Sequence, residues 1–96
     1  MIPVELSEAA DADLDDILDY GIRAFGRDVA EAYLRLIDAT LARLSMFPEM
    51  GAPRPDLRPG IRSVPVKEHR VYYRFDGNAI GVVRVLHKAM DEMQHL

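Results

Sequence analysis

The residues best suited to chemistry in this sequence are the arginines of its second half and one histidine. Arg62, Arg70, Arg74 and Arg84 are candidate cations, and His87 is a candidate general acid or base. Metal-free cleavage of RNA needs a base for the 2′-hydroxyl, a cation for the charged phosphorane and an acid for the leaving oxygen. If the chain is a nuclease, Arg62, Arg84 and His87 are its catalytic candidates. The arginines could instead form a binding surface, with His87 hydrogen bonded to the segment that follows it.

Metal and cofactor chemistry finds little support. The aspartates between residues 11 and 19 lack the glycine and the acid that a calcium loop requires at its sixth and twelfth positions, since Asp16 and Ile22 stand there. His69, His87 and His95 match no spacing of metal ligands. The absence of cysteine excludes thiolate zinc sites, iron–sulfur clusters and disulfides. We therefore predict no metal and no cofactor, and we expect the aspartates to form a solvated helix face.

Charge is distributed unevenly along the 96 residues. Residues 1–53 carry 4 basic and 11 acidic side chains, for a net charge of −7, whereas residues 54–96 carry 8 basic and 5 acidic side chains, for a net charge of +3. This asymmetry predicts two surfaces with different tasks. Because the whole chain carries a net charge of −4, direct binding of nucleic acid is not expected. The basic half is better suited to an acidic protein partner.

The length bounds the organisation of the protein. A chain of 96 residues can bury one modest core, so we predict a single domain over residues 1–96. Its hydrophobic fraction of 49% is typical of a globular protein. No apolar run approaches the roughly 20 residues of a membrane helix, and no signal-peptide pattern opens the chain. The expected location is the cytoplasm, with no membrane partner.

Two amphipathic helices must position these residues. A strand is predicted over residues 2–6, and Ser7 is suited to cap the helix that follows it. Apolar residues then recur every three or four positions as far as Phe25, where a glycine marks a turn. A second apolar stripe covers residues 29–44. The two helices should form an antiparallel hairpin, with Phe25 and Tyr33 in the core.

Three strands should follow a proline-rich loop at residues 48–60. They are predicted over residues 61–67, 69–75 and 79–87, and Asp76-Gly77-Asn78 should form the hairpin turn between the last two. Side chains alternate between the two faces of a strand. One face of the middle strand should therefore carry Arg70, Tyr72 and Arg74.

The last strand is apolar on both faces. Strict alternation places Val83 and Val85 on one face, and on the other Ile80, Val82 and Leu86. A strand of this kind belongs in a sheet that is covered on both sides. The helical hairpin can cover one side only. Either the last nine residues or a partner must therefore shield part of the other side.

In their order and spacing, short segments across nearly the whole chain resemble the ParE-type toxins of the RelE/ParE superfamily of bacterial toxin–antitoxin systems. None of them is diagnostic alone. The segments are Leu6-Ser7-Glu8-Ala9-Ala10, Asp13-Leu14-Asp15-Asp16-Ile17, Tyr20, Phe25-Gly26, Ala32-Tyr33, Leu44-Ser45-Met46-Phe47-Pro48-Glu49-Met50-Gly51, Asp56-Leu57-Arg58-Pro59-Gly60-Ile61-Arg62, His69-Arg70-Val71-Tyr72-Tyr73-Arg74 and Val85-Leu86-His87-Lys88-Ala89-Met90-Asp91. The resemblance implies an α+β fold in the order β-α-α-β-β-β: an N-terminal strand and an antiparallel helical hairpin that packs on a small, curved antiparallel sheet.

The resemblance also implies a function. Toxins of the ParE type inhibit DNA gyrase, and thereby DNA replication, without a catalytic site of their own. A ParD-like antitoxin wraps such a toxin and neutralises it in a hetero-oligomer. His87 would border the surface that meets the target. The residues that we expect to bind partners are Arg70, Arg74, Arg84, Ile80, Val82, Leu86, His87, Lys88 and Met90.

Two alternatives remain open within the superfamily. The first is a RelE-like endonuclease that cleaves ribosome-bound mRNA, for which Arg62, Arg84 and His87 would be catalytic. The nuclease branch often carries a tyrosine or a second acid–base group at this end of the sheet. Here Lys88-Ala89-Met90 follows His87, and no tyrosine occurs after Tyr73, which weakens this alternative. The second is a family member that binds its antitoxin but is not toxic.

Overall fold

The computed structural model describes residues 1–96 as a chain of eight elements. In order they are β1 (Val4–Leu6), α1 (Glu8–Phe25), α2 (Arg27–Met46), β2 (Ala52–Pro53), β3 (Arg62–Val66), β4 (His69–Phe75), β5 (Ile80–His87) and α3 (Glu92–His95). The predicted α+β class and the order β-α-α-β-β-β are confirmed. The structure adds the two-residue strand β2 within the proline-rich loop and the short helix α3 within the last nine residues.

The strands form one five-stranded sheet in the order β1-β5-β4-β3-β2. Its neighbouring pairs from β2 to β5 are antiparallel, as predicted. Strand β1 joins the sheet parallel to β5. Parallel neighbours need a long connection between them, and the chain from α1 to β4 supplies it.

Single residues explain where the first long helix begins, where the chain turns between the two helices and how closely they pack. Ser7 caps α1, since its Oγ accepts a hydrogen bond from the Ala10 N–H at 2.9 Å. Gly26 separates the helices with a φ of 91°, a conformation that favours glycine. A Cβ on Gly21 would lie 3.0 Å from the Cβ of Ala30, so the hairpin is closely packed at this point. No helix combines the length and the apolarity that a membrane span requires.

A β-bulge interrupts β5. Tyr72 of β4 is opposite Arg84, whereas the next residue, Tyr73, is opposite Val82. Val83 is therefore an extra residue in β5 that has no partner in β4. Side chains on the two sides of the bulge no longer follow one alternating pattern.

The predicted distribution of apolar residues over the two faces of β5 is wrong because of this bulge. Ile80 and Val82 lie on the helix-covered face together with Val85. Val83 lies on the other face and packs near Leu86. Simple alternation assumes an uninterrupted strand, and no local signal in the sequence announces an extra residue.

The core lies between the helices and one face of the sheet. Its ten buried residues are Ala10, Ile37, Leu44, Val64, Val66, Val71, Tyr73, Ile80, Val82 and Val85. The opposite face of the sheet, here called the open face, carries a smaller buried cluster of Ile61, Tyr72 and Leu86. Leu57, Val83 and Leu96 pack against this second cluster. The expectation that the last nine residues shield the second side of the sheet is thus confirmed for Leu96.

The proline-rich loop is fixed by two side chains of the sheet. The Tyr73 hydroxyl donates to the Pro48 carbonyl at 2.8 Å and accepts the Gly51 N–H at 2.9 Å. A Cβ on Gly51 would lie 2.7 Å from the Tyr73 ring, so only glycine fits here. The Arg62 guanidinium donates to the carbonyls of Glu49 and Gly51 at 3.0 and 2.8 Å. The loop is therefore held by hydrogen bonds at its first turn.

Candidate functional site

Three side chains from two parts of the chain, the proline-rich loop and β4, surround one carboxylate on the open face. Glu92 accepts two hydrogen bonds from Arg54, at 2.9 and 3.0 Å, and a third from the Tyr72 hydroxyl. Arg70 stands 3.8 Å from the same carboxylate. We call Arg54, Arg70 and Tyr72 the carboxylate clasp. The Arg54 hydrogen bonds are the main reason why the pKa of Glu92 lies below its usual range, and the Tyr72 hydrogen bond adds to the effect.

The segment that carries Glu92, residues 88–96 or the tail, continues across the open face. Asp91 caps α3 by accepting the Met93 N–H at 3.0 Å. Leu96 packs on the buried cluster of the open face. Arg84 donates to the His95 carbonyl at 3.1 Å, and Arg58 donates to the Leu96 carbonyl. Side chains of the sheet and of the proline-rich loop thus hold the tail at both ends of α3.

Arg84 is joined to the first helix. Its Nε and Nη2 donate to the two carboxylate oxygens of Asp13 at 2.7 and 2.8 Å. The Val85 N–H donates to the same carboxylate at 2.9 Å. This hydrogen-bonded pair is the main cause of a raised pKa for the Arg84 guanidinium. The expectation that the aspartates form a solvated face is therefore wrong for Asp13, because α1 crosses the exposed edge of β5 beyond the end of β1.

The predicted basic face exists but is partly neutralised within the chain. Unbroken alternation along β4 puts Val71 and Tyr73 in the core, so Arg70, Tyr72 and Arg74 share the open face as predicted. Arg70 is half-buried and faces Glu92. Arg74 is exposed and forms no ion pair.

A second polar cluster lies on the helix side, at the end of the sheet. The Tyr33 hydroxyl is 2.6 Å from Nδ1 of His69, and the His69 ring is 5.2 Å from the ring of His87 in an edge-on arrangement. Burial is the main reason why the pKa of His69 lies below its usual value, and the neighbouring His87 adds to the effect. His87 Nδ1 accepts the Ala89 N–H at 3.0 Å, which confirms the predicted hydrogen bond to the following segment.

These rings form the floor of a cleft of about 320 Å³ between the helical hairpin and the sheet. Tyr20, Phe25 and Val29 form its rim and are 61%, 65% and 56% exposed. We call this site the aromatic cleft. The prediction that Phe25 is a core residue is wrong, because α1 ends at this residue beyond the reach of the sheet. Tyr33 does pack against the core, with its hydroxyl turned to His69.

The structure does not bring together the three nuclease candidates. Arg62 lies on β3 and Arg84 on β5, with β4 between them, so their backbones are about 10 Å apart. The Arg62 guanidinium is bound to loop carbonyls, and that of Arg84 to Asp13. His87 faces His69 and Tyr33 instead of an arginine. No set of three or more His, Asp or Glu side chains is placed to hold a metal ion.

The predicted partner-binding residues divide into two groups. Ile80 and Val82 are fully buried beneath the helices, so their side chains cannot meet a partner on the surface. This part of the prediction fails for the same reason as the face assignment, the bulge in β5. Leu86 is also buried, but on the open face, under the tail. The surface group consists of Arg70, Arg74, Arg84, His87, Lys88 and Met90, with Met90 46% exposed.

The sequence did not predict the central contact of either site, which is Glu92 with the carboxylate clasp in one and Tyr33 with His69 in the other. Alternation along β4 could have grouped Tyr72 with Arg70, but nothing local connects either residue to Arg54 or Glu92. The contact between Tyr33 and His69 joins residues 36 positions apart. Contacts over such distances depend on the packing of the whole chain.

The chain resembles known proteins over nearly its full length. A family model described as the ParE toxin of the type II toxin–antitoxin system parDE matches residues 4–92. The chain is 40% identical over 96 residues to "Toxin ParE1" of Caulobacter vibrioides, covering 100% of this chain and 99% of that protein. It is 39% identical over 92 residues to "Toxin ParE1" of Mycobacterium tuberculosis, covering 95% and 94%. A solved structure described as "Chromosomal ParDE TA system from P. aeruginosa" matches with a TM-score of 0.79 at 26% identity, covering 91% of this chain and 96% of that one. The chain therefore belongs to the family of ParE toxins of type II toxin–antitoxin systems.

Proposed function

We propose that this protein is a toxin that binds and inhibits DNA gyrase and that a ParD-like antitoxin neutralises it. The observation that carries the proposal is membership of the ParE family over residues 4–92. The likeness to a ParDE system structure supports an antitoxin as the partner in a hetero-oligomer. Because gyrase acts on the chromosome, we expect the protein to work in the cytoplasm, with residues 1–96 acting as one unit.

Inhibition by binding fits the arrangement of the side chains better than catalysis does. Arg62 holds the proline-rich loop and Arg84 holds α1, so neither guanidinium is free to stabilise a phosphorane. A stable inhibitory complex needs complementary surface instead of a poised acid–base pair. The chain offers such surface at two places, the open face and the aromatic cleft.

The two surfaces suit different partners. The open face carries Arg54, Arg70 and Arg74, which complement an acidic antitoxin segment. The aromatic cleft has an apolar, aromatic rim, and exposed patches of this kind mark protein interaction sites. Its floor includes His87, and Met90 lies beside it. We assign the open face to the antitoxin and the aromatic cleft to the target.

Separate measurement of DNA and protein synthesis after induction tests the proposed function. Inhibition of gyrase predicts early arrest of DNA synthesis, and the purified protein should block supercoiling by purified gyrase. Phe25→Ala should weaken that block by tenfold or more because it removes an exposed aromatic anchor. Leu36→Ala is the matched control, since Leu36 is 44% exposed on α2 but does not line the cleft.

Three other outcomes would contradict this assignment. Prompt loss of translation with cleaved mRNA would favour the endonuclease alternative. Unimpaired growth on expression of the free protein, with an intact antitoxin complex, would favour a non-toxic family member. Equal inhibition of gyrase by Phe25→Ala and Leu36→Ala would remove the aromatic cleft from the target interface.

Charge reversal tests the antitoxin surface. Arg70→Glu with Arg74→Glu should weaken antitoxin binding by at least tenfold while leaving the fold intact, because both side chains lie on the open face. Arg35→Glu makes the same kind of charge change on exposed α2 and should leave the affinity unaltered. Unchanged affinity in the double variant, measured by titration calorimetry, would reject the open face as the antitoxin surface.

A further inference from the structure

The carboxylate clasp is a built site for one carboxylate. Arg54 approaches Glu92 with two nitrogens, at 2.9 and 3.0 Å, in the paired geometry that favours carboxylates. Tyr72 adds a hydroxyl donor, although its ring is otherwise buried in the sheet. The Glu92 side chain is only 21% exposed. Three donor atoms from a loop and from β4 thus converge on a group that belongs to the tail, and Arg70 of β4 adds a charge 3.8 Å away.

An apolar site adjoins the clasp. Ile61, Tyr72 and Leu86 are each about 1% exposed, and Leu96 contributes to their cover. Glu92 and Leu96 are four positions apart and are joined by a hydrogen bond from the Leu96 N–H to the Glu92 carbonyl at 3.0 Å. The open face therefore recognises a carboxylate and an aliphatic side chain that stand one helical turn apart.

The tail itself is weakly attached to this site. Its helix α3 has four residues, too few to be stable without contacts to the rest of the chain. The tail pairs with no strand of the sheet. At its first residues, the Lys88 N–H donates to the Glu68 carbonyl and the Lys88 ammonium pairs with the Glu68 carboxylate, both within 2.9 Å. From Glu92 onward its polar contacts with the remaining structure come from side chains only, namely Arg54, Arg58, Arg70, Arg84 and Tyr72. A segment with the same two features and further contacts of its own could take its place.

We propose that the open face is a docking site for an acidic partner segment that presents a carboxylate and an aliphatic side chain one helical turn apart, and that the tail occupies this site until the segment displaces it. The inference deepens the proposed function, because the antitoxin is the partner that would supply the segment. Charge complementarity supports this occupant: without the tail, the Arg58 guanidinium loses the Leu96 carbonyl and Arg70 loses its ion pair, while Arg54 keeps Asp56 and a contact with Ser63 at 3.5 Å.

Competition by the tail has a measurable consequence. A site that is open for only a fraction of the time binds an external segment more weakly by that fraction. A full-length variant with Glu92→Gln and Leu96→Ala removes the charge and the aliphatic side chain with which the tail holds the site. It should therefore bind such a segment about tenfold more tightly than the unaltered chain. A variant with Glu31→Gln and Leu36→Ala is the matched control, since it removes one exposed acid and one exposed apolar residue of α2, away from the tail.

The probe for the first experiment is a synthetic peptide of residues 88–96, titrated to millimolar concentration and followed by amide chemical shifts. In the Glu92→Gln, Leu96→Ala variant, the peptide should shift the amides of Ser63 and Tyr72, which lie beside the clasp. The same peptide with glutamine in place of its glutamate should shift them at least tenfold less. Absence of any shift with the acidic peptide, or equal shifts with both peptides, would overturn the proposal.

The second experiment uses the cognate antitoxin and separates this proposal from the proposed function. Tighter binding to the Glu92→Gln, Leu96→Ala variant than to the Glu31→Gln, Leu36→Ala control supports displacement of the tail. Equal binding to both variants overturns displacement and leaves the proposed function intact. No antitoxin binding to the unaltered chain overturns the proposed function, while the peptide titration still decides the nature of the site. A dimer formed by exchange of tails would assign the site to a second copy and overturn the proposal.

Discussion

The two faces of the sheet are closed by different means. Helices of 18 and 20 residues cover one face and bury a ten-residue cluster with it. The open face has a buried cluster of three residues, and a tail with a four-residue helix covers part of it. Burial of apolar area holds the helices on the first face, whereas hydrogen bonds to one carboxylate are the main attachment of the tail to the open face. From this difference we expect that folding requires the helix side, and that the open face can lose the cover of the tail without loss of the fold.

The largest effect is expected from a cavity on the helix side. Ile37→Ala truncates a fully buried residue and should lower the free energy of unfolding by roughly 2–5 kcal/mol. Urea denaturation measures the change, and Leu36→Ala on the same helix is the exposed control. A loss of less than about 1 kcal/mol would mean that the helix side does not dominate stability.

The second-largest loss of stability is expected when the ion pair between the helical hairpin and the edge of β5 is broken. Asp13→Asn removes the charge that pairs with Arg84, where the two side chains are only 12% and 22% exposed. We expect a loss of about 1–2 kcal/mol in unfolding free energy by urea denaturation. Asp15→Asn, two residues further along the same helix and exposed, should leave stability unchanged. If both variants behave alike, the Asp13–Arg84 pair contributes nothing.

A smaller, local effect is expected on the open face. Glu92→Gln should cost about 1 kcal/mol or less in global stability, because the carboxylate is partly hydrated and the tail adds little core. Hydrogen exchange should nevertheless show faster exchange of the amides from Met93 to Leu96. Glu68→Gln, which breaks the exposed pair with Lys88, should leave those amides unaffected. Global unfolding of the Glu92→Gln variant would refute the division between the two faces.

Acid should act on the two faces in separate pH windows. The pKa of His69 is lowered from its usual 6.5, so as the pH falls the unfolded chain is protonated at this histidine before the folded chain is. The free energy of unfolding therefore decreases as the pH drops below about 6.5, through a group on the helix side. The pKa of Glu92 is lowered from its usual 4.5, so its stabilisation is complete above that value and is lost as the pH falls through the lowered pKa. Chemical shifts of His69 and of the Leu96 methyl groups, followed from pH 7 to 3, should therefore change in that order. A simultaneous change would contradict the assignment.

Much of the fold could be predicted because it follows from local patterns. The apolar stripes and the Ser7 cap gave the helical hairpin, and alternation gave the two faces of β4 correctly. The turn after β4 also formed as expected, with Asp76 accepting the N–H groups of Asn78 and Ala79 at 2.8 Å. These features depend on residues within a few positions of one another, where side-chain chemistry acts directly on the backbone.

The parts that could not be predicted depend on distant contacts. Glu92 meets Arg54 across 38 positions, and Asp13 meets Arg84 across 71. Phe25 belongs to an apolar stripe, yet it projects beyond the element that the stripe packs against. A pattern shows which side of a helix is apolar but not where its partner ends. For the candidate sites, the sequence therefore identified Arg70 and Arg74 on the open face but neither Arg54 nor the Glu92 carboxylate that Arg54 binds.

The extra residue at Val83 has a consequence for how this protein tolerates substitution. On the two sides of the bulge, opposite parities of residue number point into the core: even at Ile80 and Val82, odd at Val85. Positions in β5 that tolerate polar substitutions should therefore be odd-numbered before the bulge and even-numbered after it. An insertion or deletion of one residue at the bulge would turn the side chains of one half of the strand to the opposite face of the sheet. When relatives are aligned in this segment, the extra residue must be placed correctly, because a misalignment by one residue would match core positions with surface ones.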